Sequence, residues 1–167
     1  NLGISSDLES INLDQEAILN SRYLYLEGYL ATSAQSTETA LIAREIARSA
    51  GKKVAVTLSD ASLIEHFREP LESLVGNEVD LLFCNPEECL AWAKTDSLDL
   101  AIREIREITK EAYITLGSEG SIAISKTGET KIPTDKVVPL DTNGAGDIYD
   151  GACIFARSNG LAEDAAA

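Results

Sequence analysis

Apolar runs of strand length alternate along this chain with stretches whose apolar residues recur at helical spacing. The apolar runs predict strands at Tyr23–Leu26, Lys53–Leu58, Val79–Cys84, Tyr113–Leu116 and Ser121–Ser125, with a further strand-like run at Lys136–Leu140. Val79–Cys84 is mainly apolar and has turn residues on both sides, which is typical of a strand buried on both faces. This alternation predicts a parallel sheet covered by helices on both faces.

Helical spacing is clearest in three segments, Thr37–Ala50, Ser97–Lys110 and Asp147–Ser158. The second has one apolar stripe and charges on its other side, so it predicts a surface helix. The third predicts a buried helix that ends at Asn159-Gly160. Its apolar positions are Ile148, Ala152, Ile154, Phe155 and Ala156.

Two more helices are indicated by their first residues. Ser62 and Glu65 match a capping box, so a helix should begin at Ser62 and break or kink at Pro70. The string Asn85-Pro86-Glu87-Glu88 starts another helix directly after a predicted strand. The segment Lys126–Glu129 resembles the turn of a hairpin.

The 167 residues carry 14 Lys plus Arg against 28 Asp plus Glu, a formal charge of −14, and 44% of them are apolar. This length and composition predict a single domain over residues 1–167. No apolar run approaches the ~20 residues of a membrane span, and Asn1–Ile4 lacks the pattern of a signal peptide. We therefore expect a cytoplasmic protein without a membrane partner. The acidic balance disfavours a nucleic-acid partner, whereas an ATP site stays open because backbone amides can bind phosphate.

The chain has three cysteines, Cys84, Cys89 and Cys153, and one histidine, His66. These residues do not match the spacings of a zinc site, and an odd number of cysteines argues against a disulfide framework. We expect reduced, mostly buried thiols and a surface or packing role for His66.

The segment most informative about function is Asp141-Thr142-Asn143-Gly144-Ala145-Gly146-Asp147, directly before a predicted helix. The small side chains of Gly144, Ala145 and Gly146 let backbone N–H groups at the helix start approach an anion closely, and the helix dipole favours that contact. Asp147 would lie beside such a pocket. It could accept a proton from a hydroxyl that attacks a phosphoryl group, or it could be an ordinary helix-start acid.

Two other acids have open roles. Asp60 follows a predicted strand, where it either faces a ligand crevice at the strand end or simply opens a loop. Asp150 lies one turn after Asp147 and is expected to face solvent or to support the helix cap.

The string D-T-N-G-A-G-D closely resembles the signature of the PfkB family of sugar and nucleoside kinases. Asn85-Pro86-Glu87-Glu88 is similar to the family's N-x-x-E motif, and Thr115-Leu116-Gly117-Ser118-Glu119-Gly120 is similar to its T-x-G-x-x-G nucleotide loop. The three motifs occur in the family's order. The resemblance implies a ribokinase-like three-layer α/β/α sandwich with a mostly parallel central sheet, truncated at both ends relative to the family.

The resemblance also implies roles for single residues. It makes Asp147 the catalytic base, and it makes Gly144, Ala145 and Gly146 the backbone anion hole. Mg²⁺ would be organised by Glu88 with support from Asn85. The residues implied in binding the nucleotide are Thr115, Gly117, Ser118, Gly120, Thr142 and Asn143.

Three of these implied roles have a structural alternative. Asn85 and Glu88 by themselves form a helix start that needs no ligand. The glycines of the nucleotide loop also suit a tight connection between two strands. Asp141 either helps to bind K⁺ or the substrate, or fixes its own loop through hydrogen bonds to the backbone.

The leading hypothesis is an ATP-dependent, Mg²⁺-requiring kinase that phosphorylates a hydroxymethyl group of a sugar or nucleoside, with a homodimer as one option for its assembly. Asn143 and the segment Tyr25–Tyr29 lean toward the adenosine-kinase-like branch of the family. The alternative is a non-catalytic nucleotide-binding or regulatory member of the same fold. A Rossmann dehydrogenase and a P-loop kinase are disfavoured, because G-x-G-x-x-G after the first strand and G-x-x-x-x-G-K-[ST] are both absent.

Overall fold

The computed structural model describes residues 8–167, so the Asn1–Ile4 segment considered for a signal peptide lies outside the described residues. A six-stranded sheet forms the centre of the molecule, with its strands in chain order. The strands are β1 Tyr23–Glu27, β2 Lys53–Thr57, β3 Val79–Cys84, β4 Thr109–Thr115, β5 Ser121–Ser125 and β6 Gly128–Ile132. Strands β1 to β4 pair in parallel, β5 pairs antiparallel to β4, and β6 pairs antiparallel to β5. The predicted, mostly parallel sheet is confirmed.

Among the described residues, one α-helix precedes β1, five lie in the connections between the parallel strands, and two follow the β5–β6 hairpin. They are α1 Gln15–Asn20, α2 Ala34–Ser49, α3 Ala61–His66, α4 Arg68–Val75, α5 Pro86–Ala93, α6 Leu98–Ile108, α7 Ala145–Ser158 and α8 Glu163–Ala166. Short 3₁₀ turns lie at Ser10–Asn12, Gly28–Thr32 and Gly117–Glu119. No helix between residues 8 and 167 has both the length and the apolar character needed to cross a membrane.

Alternate side chains of the central strands pack into two separate hydrophobic cores, one on each face of the sheet. Val54, Val56 and Leu82 face the larger core, which contains residues of α2 to α6. Ala55 and Leu81 face the smaller core, to which α7 and α8 contribute Cys153 and Ala166. Helices therefore lie on both faces, which gives the three layers expected from the sequence.

The edge of the sheet differs from the prediction. The strand-like run Lys136–Leu140 forms no strand and is exposed, whereas β6, Gly128–Ile132, begins inside the predicted turn Lys126–Glu129. β6 pairs with β5 along its whole length, from Ser125 opposite Gly128 to Ser121 opposite Ile132. A short turn brings β6 to its neighbour at once, while residues 136–140 have no described strand to pair with.

Two helix boundaries also differ. Helix α3 is capped by Asp60, not Ser62, because the Asp60 carboxylate accepts hydrogen bonds from Ser62 N at 2.7 Å and from Ser62 Oγ at 2.6 Å. The break between α3 and α4 lies at Phe67, ahead of Pro70, which sits in the first turn of α4. A proline is tolerated there because the first-turn N–H groups have no acceptor within the helix.

Helix α7 is not the buried helix that its apolar pattern predicts. Among its residues only Asp150 and Cys153 are buried, while Ile148 and Phe155 are 75% and 72% exposed. The part of the chain that the structure describes packs nothing against these apolar side chains. The prediction for the cysteines is confirmed, since Cys84, Cys89 and Cys153 are buried and free.

Candidate active site

A cleft of about 340 Å³ opens where the carboxyl ends of the parallel strands meet the start of α7. Ligands of open α/β sheets bind at this edge, because loops and helix N-termini converge there. The residues that line the cleft are Glu27, Tyr29, Thr57, Ser59, Phe83, Cys84, Asn85, Glu88, Thr115, Gly144, Gly146, Asp147 and Asp150. Four of them are acids, and none of these lining residues is Lys or Arg.

The start of α7 forms one wall of this cleft. Gly144 at the cap has φ 72°, a left-handed conformation that favours glycine, and no described side chain caps the helix. Ala145 N donates to Thr142 O at 3.1 Å, and Ile148 N donates to Gly144 O at 3.0 Å. The N–H groups of Gly146 and Asp147 belong to the first turn, which has no acceptor within the helix. This geometry suits a bound anion.

Asp147 lies in the first turn of α7 and is exposed to the cleft. Its carboxylate stands beside the N–H groups that face the same space. A carboxylate in that position can accept a proton from a hydroxyl group bound in the cleft.

Asn85 and Glu88 meet in the cleft and also form a complete capping box. Glu88 N donates to Asn85 Oδ1 at 2.9 Å, while Asn85 N and Nδ2 donate to the two Glu88 carboxylate oxygens at 3.0 and 2.7 Å. Burial raises the pKa of Glu88 to about 7, the Asn85 N–H opposes the shift, and the charges of Asp150 and Asp60 add to it. The helix start predicted for Asn85-Pro86-Glu87-Glu88 is therefore confirmed, and the Glu88 carboxylate also lines the cleft.

Asn85 and Glu88 fit Mg²⁺ of the kind that is also bound to substrate phosphates. Within residues 8–167 no group of three or more His, Cys, Asp or Glu is placed to enclose an ion. Mg²⁺ commonly keeps several waters and uses one or two carboxylates together with substrate phosphates. The Glu88 oxygens retain acceptor capacity beyond the two hydrogen bonds from Asn85.

A second cavity of about 520 Å³ adjoins the first and shares Thr115 and Gly146 with it. It is lined by Gly117 and Gly120 from the predicted nucleotide loop, by Thr142 and Ala145, and by apolar side chains that include Ile132, Tyr149 and Cys153. Gly120 has φ 95°, and a Cβ there would lie 1.9 Å from Ile132 O. Only glycine fits this close approach of the loop to β6.

Several of the predicted site residues lie outside both cavities. Ser118, Asn143 and Asp141 are exposed and line neither one. Asp141 Oδ1 accepts a hydrogen bond from Asn143 N at 2.9 Å, the loop-fixing geometry that the sequence left open. Asp60 caps α3, and the exposed His66 places Nδ1 2.8 Å from Ser62 O.

The expectation that Asp150 faces solvent or supports the cap is wrong. Asp150 is 5% exposed, and its Oδ2 accepts a hydrogen bond from Tyr25 OH at 2.8 Å. Burial raises the pKa of Asp150 to about 6, although the hydrogen bonds from Tyr25 and Thr57 lower it. The i,i+3 spacing from Asp147 could have indicated this position, because both residues then lie on one face of the helix.

The cleft walls at the ends of β1 and β2 were also missed by the sequence analysis. Glu27, Tyr29, Thr57 and Ser59 line the cleft there. Ser59 has φ 68°, an uncommon conformation for a residue other than glycine, and its Oγ accepts a hydrogen bond from Gly28 N at 2.8 Å. The signal for these residues is their place at the carboxyl ends of predicted parallel strands.

The fold and cleft define a ribokinase-like α/β protein, and the comparisons give its family. A family model described as pfkB family carbohydrate kinase matches residues 1–166, so this chain belongs to that family. It is 26% identical to an adenosine kinase of Schizosaccharomyces pombe over 98% of this chain and 53% of that protein. It is 40% identical to a ribokinase of Lactococcus lactis over 50% of this chain and 27% of that protein.

A solved structure shows the same fold. The crystal structure of adenosine kinase from Sinorhizobium meliloti matches with a TM-score of 0.90 and 27% identity, over 96% of this chain and 50% of that one. The chain thus spans about half the length of the S. pombe and S. meliloti adenosine kinases.

Proposed function

We propose that this chain carries the phosphoryl-transfer site of an ATP-dependent kinase that phosphorylates a hydroxymethyl group of a sugar or nucleoside. The observation that supports this most strongly is the convergence of separate motifs on one cleft. Asn85 and Glu88 follow β3, Thr115 ends β4, and Gly144, Gly146 and Asp147 begin α7, yet all six line the same space. The family membership of the chain agrees with this arrangement.

Asp147 acts as the general base. It accepts the proton of the acceptor hydroxyl as that oxygen attacks the γ-phosphorus, while the bond from this phosphorus to the β,γ-bridging oxygen breaks and ADP leaves. The N–H groups of Gly144 and Gly146 form the anion hole that offsets negative charge on the transferring group, and Ala145 joins them when its N–H releases Thr142 O. Such preorganised donors usually supply much of the rate enhancement in this kind of reaction.

ATP extends along the adjoining cavity, where Thr115, Gly117 and Gly120, with Thr142, contact the nucleotide. Glu88, supported by Asn85, holds Mg²⁺, which supplies charge neutralisation for the phosphates. A cation is needed because the residues that line the cleft include four acids and no Lys or Arg. Ser118 and Asn143 contact the nucleotide from the exposed outer side of these loops, and Asp141 is the candidate K⁺ ligand.

The acceptor is a sugar or a nucleoside, with adenosine and ribose as the first compounds to test. The S. pombe and S. meliloti proteins named above are adenosine kinases, and the L. lactis protein is a ribokinase. Fructose and other nucleosides belong in the same panel, because these relatives differ in their named substrates.

The test is ADP release by the whole protein with Mg·ATP and this acceptor panel, compared with Asp147→Asn. Losing a general base typically costs ~10²- to 10⁴-fold in rate, so the variant should be nearly inactive while still binding ATP. Asp99→Asn is the matched control, because Asp99 also lies in the first turn of a helix, α6, and is exposed. It should keep wild-type turnover.

Two results would contradict the proposal. Full activity of Asp147→Asn would show that Asp147 is not the general base. ATP binding without turnover on any acceptor, equal in wild type and variant, would favour the alternative of a non-catalytic nucleotide-binding member of the fold.

A further inference from the structure

The first turn of α7 carries the proposed base, yet the contacts that usually fix a helix start are missing there. No side chain within residues 8–167 caps the helix, and Ile148 in the first turn is 75% exposed. Residues 133–144, which lead into the helix, are exposed and have no regular secondary structure. The position of this turn must therefore depend on side chains that reach from α7 to the sheet.

Asp150 is the first buried residue along α7 after Asp147. Because it lies three positions further on, its side chain leaves the helix on the same face as Asp147. Its hydrogen bond from Tyr25 OH, at 2.8 Å, joins α7 to β1. Thr57 at the end of β2 also donates to Asp150, so hydroxyl groups on two strands hold this carboxyl.

Tyr25 is itself held in place. Its ring meets the ring of Phe83 on β3 edge to face, with the centroids 6.4 Å apart, and Phe83 stacks on Tyr113 of β4 at 5.6 Å. Phe83 and Tyr113 are both completely buried or nearly so. The hydroxyl that Asp150 accepts from is therefore fixed by a row of aromatic rings across three strands.

The other end of α7 has a separate attachment. Arg157 Nε donates to Glu111 Oε2 on β4 at 2.7 Å, and Arg157 Nη2 lies 2.5 Å from Glu111 Oε1. With both ends attached, α7 is held along its length, and removing the Asp150 contact should free only the end that bears Asp147.

We infer that Asp150, through Tyr25, is a positioning residue that sets the place of the Asp147 carboxylate and of the first-turn N–H groups over the cleft. The inference rests on the proposed phosphotransferase function. Near-attack geometry is demanding, since a displacement of about 1 Å can cost ~10²-fold in rate. Asp150 does not touch the reacting atoms. It acts through the helix.

The experiment compares Tyr25→Phe and Asp150→Ala with wild type in the whole protein, well below the unfolding temperature. Each should lower kcat about 10- to 100-fold and change the KM for the acceptor by less than about threefold. Asp150→Asn keeps an oxygen that accepts from Tyr25 OH, so it should retain kcat within about threefold. The double variant Tyr25→Phe/Asp150→Ala should be no slower than Asp150→Ala alone, because Asp150→Ala already removes the Tyr25 contact.

Tyr23→Phe is the matched control. Tyr23 precedes Tyr25 by two residues on β1 and points to the same face, where Lys53 Nζ lies 5.3 Å from its ring. It should keep wild-type kcat. Hydrogen exchange gives a readout independent of turnover: the amides of residues 148–151 should exchange about tenfold faster in Tyr25→Phe and unchanged in Tyr23→Phe.

The outcomes separate the two claims. An active wild type whose Tyr25→Phe and Asp150→Ala variants keep full kcat overturns the positioning role and leaves the proposed function standing. Equal losses in Tyr25→Phe and Tyr23→Phe, or loss of stability alone with normal kcat per folded molecule, overturn it as well. A wild type that is inactive on every acceptor overturns the proposed function and the positioning role with it.

Discussion

Glu88 and Asp150 place two buried carboxyl groups in one cleft, and the charge of Asp150 adds to the raised pKa of Glu88. Burial is the largest cause of the raised pKa of both groups, and Asp147 adds to the shift of Asp150. Neither carboxyl has a basic side chain beside it in the cleft. The charged forms of these groups are therefore costly in the folded protein, which gives the cleft a pH dependence that can be measured.

The first prediction concerns the stability cost of Asp150. Its pKa is about 6 in the folded protein against an ordinary value of 3.8, so the folded state holds its proton more tightly than the unfolded state. The stabilisation this provides is complete below pH ~4 and is lost as the pH rises through ~6, by about 3 kcal/mol in all. About half of that loss falls between pH 5 and pH 8.

Asp150→Asn removes this titration and keeps the acceptor for Tyr25 OH. In denaturant unfolding, the free energy of unfolding of the variant relative to that of wild type should rise by about 1.5 kcal/mol between pH 5 and pH 8. Asp96→Asn, at an exposed position, should run parallel to wild type over the same range. A constant difference between Asp150→Asn and wild type would show that the carboxyl carries no such cost.

The residues of the cleft differ in whether the neighbouring sequence indicates their position. Asp147, Glu88 and Gly144 were predicted because each belongs to a short string that also specifies a helix start. Asp150 was misjudged because its environment comes from Tyr25, a distant residue on β1, and no local pattern encodes that contact. The sequence offers only the spacing of Asp150 from Asp147 as a guide.

At the scale of elements, α5 combines a structural and a proposed functional task in one pair of side chains. The capping box joins Asn85 and Glu88 through three hydrogen bonds, and the same carboxylate lines the cleft. Glutamine also serves at the third position of a capping box. Substitutions can therefore separate the two tasks.

The second prediction is that Glu88→Gln keeps the helix start and loses the charge that suits Mg²⁺. Its free energy of unfolding at pH 8 should lie within about 1 kcal/mol of that of wild type, because removal of a costly buried charge offsets the loss of one of the two hydrogen bonds from Asn85. The Mg²⁺ concentration for half-maximal ATP binding, measured by calorimetry, should rise about tenfold, the lower end of losses at metal-site partners.

Asn85→Ala supplies the contrast, since it removes the cap itself. It should lower the free energy of unfolding by about 1 kcal/mol. An unchanged Mg²⁺ requirement in Glu88→Gln would mean that the carboxylate serves the helix alone.

The elements that the sequence predicted well are those buried on both faces. β3 was predicted with its observed limits, Val79–Cys84, because a mainly apolar run needs no knowledge of neighbours. β6 was missed because it is an exposed edge strand, Gly128–Ile132, whose polar residues lack any apolar alternation. Lys136–Leu140 shows the reverse error, since its apolar residues suit a strand but no described strand lies beside them.

At the scale of the whole molecule, the charge of the chain and the charge of the cleft agree in sign. The chain has a formal charge of −14, and the cleft is lined by Glu27, Glu88, Asp147 and Asp150 without a basic side chain among the lining residues. An acceptor that carries its own carboxylate or phosphate would bring a further negative charge next to the triphosphate. A neutral sugar or nucleoside instead offers hydroxyl donors, which ionised carboxylates accept.

The third prediction follows from this balance: the whole protein should prefer neutral acceptors to anionic ones. For ribose against ribonate, which share the terminal hydroxymethyl group, kcat/KM should differ by at least about tenfold, or roughly 1.4 kcal/mol. The ratio should fall at higher ionic strength because salt screens the repulsion. Raising the salt with tetramethylammonium chloride at constant K⁺ keeps any requirement for a monovalent cation out of the comparison.

Variants identify the source of the discrimination. Glu27→Gln removes one charge from the wall at the end of β1 and should narrow the ratio, whereas Glu65→Gln, exposed on α3 and outside the cleft, should leave it unchanged. Equal kcat/KM for ribose and ribonate in wild type would contradict the prediction. It would also mean that basic groups outside residues 8–167 neutralise the acceptor end of the cleft, since the described residues place none there.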